Sequence, residues 1–400
     1  MAWADPNSWS KTDSELASML PVFYSKRIRE IIDHDEGLWQ TIETDPLAER
    51  SGLVATFMQY ALMEPQAAST VLTEGANPNP TDLVTGKITC TVVEKGAVVA
   101  IPSLARLSIA DGAEKVATVV GAHGSQSMER HTAETLACYL QQLRVDADAT
   151  YEENSSTTSD GSTTLLNDTG AGWTTNSMAG GLLTIIDPYV GTFGESQFVA
   201  SNVANTSITV GTAFSAAILS GTDYHVSIPT GIVATDKLTL TGIRLAQKQL
   251  RKIGIKGPLW EIDGGGYNIV LDAVTEADIQ TDLISAFQYK PNEAVQRKYP
   301  DRGMIAMCRP TITSIPFRSA VTGNGTYAAG GICHYTPVIG KNCLSKLPLG
   351  QMDIKVTSKA EDSGGTSNPL NRFSTTGWEF KGAFLKRNLA AGCAIISGEN

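Results

Sequence analysis

The sequence predicts an α+β fold that carries an inserted all-β module, and three observations lead there. Helical periodicity and short buried strands are interleaved through the second half of the chain. One apolar pattern beginning near residue 113 is long enough for a helix that serves as a spine. Composition changes abruptly between residues 150 and 230. A chain of 400 residues, 42% hydrophobic and 18% charged, buries a sizeable core and is neither disordered nor fibrous.

Residues 1–65 read as an N-terminal arm. In SELASMLPVFYSKRIREIIDHD, Leu16, Met19, Leu20 and Phe23 make one helical stripe and Ile28, Ile31 and Ile32 the next, divided at Pro21. Lys26, Arg27 and Arg29 read as a solvated face. The opening MAWADPNSWSKTDSE has no basic segment followed by an apolar one, and no apolar run approaches the ~20 residues that cross a bilayer. The expectation is a protein made without export and with no membrane partner.

Residues 66–108 contain TVLTEGANPNPTDLVTGKITCTVVEKGAVVAIPSL, a strand, a Pro/Asn turn and two further strands. Its apolar residues are too few and too alternating to form a core, and an isolated ribbon is marginal in water, so another surface must cover it. Leu72, Ile88, Val92, Val98, Val99 and Ile101 are the side chains expected to meet that surface.

Residues 109–149 supply the spine. Asp111 is an N-cap candidate, and Val116, Val119, Val120, Leu136, Leu140 and Leu143 suggest one helix from about 113 to 145, roughly 50 Å long. Gly121 and Gly124 would admit the close approach of another backbone. From Thr150 to Thr230 there is no Lys or Arg, while Glu152, Glu153, Asp160, Asp168, Asp187, Glu195 and Asp223 are acidic. Runs such as GLLTIID, SQFVASNV, TSITVG and DYHVSI, separated by Gly, Asn and Ser, mark residues 150–230 as the inserted module. Such a module is expected to decorate an exterior surface and to be dispensable.

Residues 231–400 return to mixed structure. Ile243, Ala246, Leu250 and Ile253 repeat at helical spacing, with Gly254 as the stop. Strands are expected at LWEI and YNIVLD on either side of Gly264–Gly266, a helix at TEADIQTDLISAF, and strands at MIAMC, TITSIPF, MDIKVTS and GWEFKGAFLK, with a glycine-rich loop at 323–331.

The chemistry-bearing residues do not assemble into a site. A formal charge of -10 argues against a tightly gripped nucleic acid. Cys90, Cys138, Cys308, Cys333, Cys343 and Cys393 include no CxxC pair and suit buried thiols. GAHGSQS lacks the closing glycine of a nucleophile turn and lies in a helical pattern. His123 and His131, eight apart, are too far along a helix to share an ion and read as solvent or interface groups. Cys333, His334 and Cys343, with Cys308, are the best zinc candidates but have no second paired motif. Gly264–Gly266 lacks the spacing of a phosphate loop. The reading is a non-enzyme with no catalytic residue, cofactor or metal.

Two arms without cover, a long helix and no active site suggest a subunit completed by its copies. TVLTEGANPNPTDLVTGKITCTVVEKGAVVAIPSLARL, followed by VVGAHGSQSMERHTAETLACYLQQ, resembles a segment of the tailed-phage major capsid proteins of the N-four-like capsid family. LTGIRLAQKQLRK, GYNIVLDAVTEADIQTD and NPLNRFSTTGWEFKGAFLKRN resemble its later blocks in the same order. The resemblance implies the Hong Kong phage-type capsid fold, with N-arm, extended loop, peripheral domain with spine helix, and axial domain. It adds Thr73, Glu74 and Gly75 of the L-T-E-G motif to the inter-subunit contacts. It implies hexamers and pentamers closing an icosahedral shell around double-stranded DNA, in a virion assembled in the host cytoplasm, with neighbouring subunits and decoration, scaffold and portal proteins as partners and only weak contact with DNA. Asn368 replaces an acidic residue of the family pattern, so no charge pair is assigned there. TTLLNDTGAGWTTNSMAGGLLTI is similar to β-rich modules of phage structural proteins.

Two other functions fit parts of this pattern. An encapsulin-like compartment shell would share the fold but hold a cargo peptide rather than a genome. A carbohydrate-binding adhesion protein would be built on the β module, which leaves the long helix and both arms without a purpose.

Overall fold

The computed structural model describes residues 39, 42–47, 52–63, 83–102, 112–135, 139–145, 152–228, 231–257, 266–287, 308–312, 332–350, 354–359 and 373–399. The first strands are β1 (Glu43–Thr44), β2 (Val54–Tyr60), β3 (Thr85–Thr91) and β4 (Val93–Pro102), followed by helix α1 (Gly112–Thr135) and β5 (Gln141–Arg144). Next come β6 (Glu152–Ser156), β7 (Leu165–Asn167), β8 (Leu182–Ile185), β9 (Ser196–Val203), β10 (Ser207–Val210) and β11 (Asp223–Ser227). The remainder is α2 (Leu240–Lys252), β12 (Tyr267–Leu271), α3 (Ala273–Phe287), β13 (Cys308–Ile312), β14 (Ile332–Ile339), β15 (Leu344–Pro348), β16 (Lys355–Lys359), β17 (Phe373–Lys386) and β18 (Gly392–Glu399).

The chain divides into two compact units. The larger is drawn from His34–Val92, Met128–Gly350 and Gly382–Asn400. Its centre is a mixed sheet in the order β13-β12-β14-β18-β5. Alternation along the strands separates two apolar faces. Tyr267, Ile269, Leu271, Val338, Cys393 and Ile395 pack with Ile243, Ala246 and Leu250 of α2 and Ile279 of α3. Val270, Cys333, Tyr335, Ile339, Ala394 and Ile396 pack on the opposite side with Ile42, Leu140 and Leu344.

Helix α2 forms where its sequence says it should. Thr239 caps it by accepting from the Gly242 N–H, Arg251 and Lys252 complement the dipole in the last turn, and Gly254 ends it at φ +85°. The expected helix over 113–145 is shorter: α1 stops at Thr135, Leu136 and Cys138 lie outside the described residues, and Gln141–Arg144 is a strand. Strand β5 runs parallel to β18 from Gln141 opposite Cys393 to Arg144 opposite Ile396, and all four of its residues are buried. Ladder pairing and two-sided burial have overridden helix propensity there.

Several expected elements lie outside the described residues: the helix over 14–35, the LWEI strand, most of Gly264–Gly266, and the 323–331 loop. The described residues just before β2 have partners within the chain. Glu43 and Thr44 pair with Ser345 and Lys346 of β15. The Trp39 N–H donates to the buried Glu129 carboxylate, and the Lys346 ammonium sits 4.3 Å from the centre of the Trp39 ring.

Between residues 152 and 227 six strands form one sheet in the order β6-β11-β8-β9-β10-β7. Its core contains Leu166, Trp173, Met178, Ile185, Val199, Ile208, Phe214 and Tyr224. The Tyr224 hydroxyl donates to Asp168 at 2.7 Å. This sheet is fastened to the rest of the larger unit by hydrogen bonds. His225 Nε2 lies 2.5 Å from the Gln142 carbonyl, and Arg144 donates to the Ile228 carbonyl at 2.6 Å. The Leu62 and Leu389 N–H groups donate to the Pro188 and Gly194 carbonyls at 2.9 and 3.0 Å. Removing this sheet would take these partners from Gln142 and Arg144.

Among the described residues, the smaller unit is drawn from Val93–Ser127 and Gln351–Lys381. Strand β16 pairs antiparallel with β17, Lys355 opposite Glu379 through Lys359 opposite Thr375, and β4 also pairs with β17. Ser374, Thr376, Trp378 and Phe380 are buried while the residues between them are partly exposed. The Trp378 indole donates to His123 Nδ1 at 3.1 Å, which gives His123 a partner within the chain. Gly121 and Gly124 do admit a close neighbour, but it is a side chain and not a backbone. A Cβ at Gly124 would stand 2.9 Å from the Trp378 ring, whereas one at Gly121 would meet Val356 at 3.4 Å.

That contrast sets opposite signs for one substitution. Replacing a helix-interior glycine by alanine favours the helix by about 1 kcal/mol, while overpacking costs about 1 to 3 kcal/mol. Gly124→Ala is expected to lower the thermal unfolding midpoint and Gly121→Ala to hold or raise it. Equal responses would remove Trp378 as the reason for the glycine.

Burial, with a smaller effect of the Lys252 charge, pushes the His225 imidazole down from 6.5 to about 4, against the hydrogen bond to Gln142. Between these values the unfolded chain binds a proton that the folded chain does not, so this contribution is complete above pH 6.5 and is lost as pH falls toward 4. Glu153 acts in the opposite sense. Burial raises its carboxyl to about 7, so its contribution weakens as pH rises between 4.5 and 7. Comparison with His225→Gln cancels the Glu153 effect. The stability difference between wild type and variant should fall by about 3 kcal/mol from pH 7 to pH 4 in chemical denaturation, at about 1.4 kcal/mol per pH unit; a flat difference would contradict a buried neutral histidine.

Candidate inter-subunit surface

Strands β2 and β3 form a two-stranded antiparallel ribbon, Val54 opposite Thr91 through Tyr60 opposite Thr85. Alternation gives it two faces. Ala55, Phe57 and Ile88, with Val92 just beyond β3, pack beside Cys90 against Leu347, Ala383 and Leu385 of the same unit. The other face points to solvent, and on it Val54, Met58 and Tyr60 of β2 are 59%, 63% and 62% exposed beside Thr56 and beside Thr85, Lys87, Thr89 and Thr91 of β3. Leu53, Leu62, Met63 and Leu83 are exposed at the ribbon's ends. Large apolar side chains exposed together along one strand and at its ends make this ribbon a candidate interaction surface.

The structure divides the contact residues read from the sequence. Leu72, Thr73, Glu74 and Gly75 lie outside the described residues, and Ile101 is in β4 but its side chain is not described. Ile88 and Val92 pack within their own chain. In the smaller unit, Val98 and Val99 are exposed. Sequence reasoning missed Val54, Met58, Tyr60, Leu62 and Met63. The signal was VATFMQY, which places apolar residues at both odd and even positions of a strand.

Among the described residues, the cysteines and the Asp272–His334 pair are buried. Cys90, Cys308, Cys333, Cys343 and Cys393 are free and buried, while Cys138 is outside the described residues. Burial pushes the Cys308 thiol up to about 11 and that of Cys333 up to about 12, and also raises those of Cys343 and Cys393, which favours the protonated, less reactive form. His334 Nδ1 meets Asp272 at 2.5 Å rather than a cysteine cluster. Burial opposes ionisation of Asp272, but His334 and the capping Thr275 outweigh it and hold the carboxyl below its usual value. Both partners are buried. Among the described residues no group of three His, Cys, Asp or Glu is placed to hold a metal ion, and no helix is long and apolar enough to cross a membrane.

No family model and no curated protein matches the sequence. Solved structures do match. The capsid asymmetric unit of cyanophage Pam1 aligns with 98% of this chain and 99% of its own at 10% identity and a TM-score of 0.53. The capsid of Ralstonia phage GP4 aligns with 100% and 98% at 12% identity and a TM-score of 0.51. The acid-stable capsid of Helicobacter pylori bacteriophage KHP30 aligns with 99% of each chain at 10% identity and a TM-score of 0.51. Over its whole length, then, this mixed α+β chain has the fold found in phage capsid proteins.

Proposed function

We propose that the chain is the major capsid protein of a tailed bacteriophage, forming hexamers and pentamers that close an icosahedral shell around double-stranded DNA. The observation that carries this reading is end-to-end correspondence with capsid chains at 10–12% identity, with almost nothing left over in either partner. An exposed apolar ribbon supports it, because a shell subunit must keep such a surface for its neighbours.

In Hong Kong phage-type terms, residues 1–65 are the N-arm, 66–108 the extended loop and 109–149 the spine segment, whose helix ends at Thr135. Residues 150–230 are the inserted module, and 231–400 complete the peripheral and axial domains. The smaller unit corresponds to the peripheral domain and the sheet around β18 to the axial domain. The role is structural rather than catalytic, in a virion assembled in the host cytoplasm, with portal, scaffold and decoration proteins as further partners. The lack of Lys and Arg from 150 to 230 favours an exterior position for the module, since packaged phosphate would repel its carboxylates.

Negative-stain microscopy of the purified protein should show closed shells, and particles from infected cells should protect DNA from nuclease. A monodisperse monomer under near-physiological conditions, or shells that hold a cargo protein and no DNA, would overturn the reading. Covering an exposed apolar side chain contributes about 1.5 to 3 kcal/mol, so losing two weakens association roughly 10²- to 10⁴-fold. Met58→Asp with Tyr60→Asp, and separately Val98→Asp with Val99→Asp, should give folded subunits that fail to assemble. Ile88→Asp should fail earlier, in folding. Normal shell yield from either double variant would remove that patch from the interface.

A further inference from the structure

The larger unit contains a crevice of about 370 Å³ between α2 and the start of β6, at the lower end of the range for small-ligand sites. Among the described residues it is lined by Ile395, by Arg144, Lys248 and Lys252, and by one carboxylate, Glu152. That carboxylate is already engaged: it accepts from the Arg144 N–H at 2.9 Å and lies 4.0 Å from His225 Nε2. Lys248 and Lys252 stand one helical turn apart on α2 without an ion-pair partner among the described residues, an arrangement that costs a few tenths of a kcal/mol through like-charge repulsion.

Gln249, on the same wall, supplies an independent sign. Its Oε1 accepts from Asn154 at 3.2 Å, and its Nε2 is buried without an acceptor among the described residues. The residue is 9% exposed, and a buried unsatisfied donor of this kind is costly unless something accepts from it. Two ammonium groups without an ion-pair partner among the described residues, and a residue with an unsatisfied amide N–H, line one crevice.

We propose that this crevice is a binding site for one small oxyanion, a carboxylate or a phosphate, held by Lys248 and Lys252 and accepting from Gln249 Nε2. The inference does not depend on the shell reading, since every residue belongs to one subunit. An anion there would neutralise the lysine pair and link α2 to β6, bracing the base of the six-stranded sheet against the body.

The test is thermal unfolding of the full chain in inorganic phosphate and, separately, in glutarate, with chloride keeping ionic strength constant. Binding to the folded state alone gives a saturable rise in midpoint; at ten times the dissociation constant the folding equilibrium constant increases about elevenfold. Saturation with phosphate identifies a phosphate site, and saturation with glutarate a carboxylate site. Lys248→Gln with Lys252→Gln should abolish the saturable part while leaving the general effect of excluded salts. Gln249→Met, which keeps both charges, should weaken binding and provides a second test should the double variant fold poorly. If neither anion saturates, or if the variants respond in parallel with wild type, the proposal is wrong.

Discussion

Strand β18 has partners on both edges and apolar side chains on both faces, and the larger unit is organised around that double demand. Eight successive pairs, Ile332–Glu399 to Ile339–Gly392, join it to β14, and β5 joins its other edge. Cys393 and Ile395 require helices on one side, while Ala394 and Ile396 require a second apolar layer on the other. The positions of α2, α3 and the segment around Ile42 follow from covering those faces. The six-stranded sheet is attached through β5, because Gln142 and Arg144 turn hydrogen-bonding groups toward His225 and Ile228.

The residues explain which parts of this arrangement were legible in advance. Helix α2 declared itself through a period of 3.6, a threonine cap and a terminal glycine, all local signals. YNIVL was readable because a strand buried on both faces is an unbroken apolar run. QQLR carried no such mark. Its burial depends on a ladder with residues 393–396 and on polar partners from another sheet, none of which is encoded within several residues of Gln141. The spine glycines were found for a sound reason, yet their neighbour is the indole of Trp378, and sequence spacing does not reveal which distant side chain arrives.

The candidate surface was half legible for a related reason. Alternation across residues 85–102 identified apolar side chains in a segment too thin to bury them all, but it did not say which face the chain covers itself. Ile88 and Val92 are claimed by Leu347 and Leu385, and the outward face is completed by Met58 and Tyr60 from the preceding strand. Only the pairing of β2 with β3 brings those residues together, and that pairing spans a stretch with no local signal for its register.

The ladder between β5 and β18 also sets a clock. Cys393 and Gln141 stand 252 positions apart in the chain, and at 5 to 20 residues per second a ribosome needs roughly 10 to 50 seconds to travel that distance. During this interval β5 has left the ribosome without the strand that completes it, and its open edge is available to other nascent chains on the same message. The polar residues Gln141, Gln142 and Arg144, which made the strand hard to recognise, make that waiting edge less sticky than an aliphatic run would be.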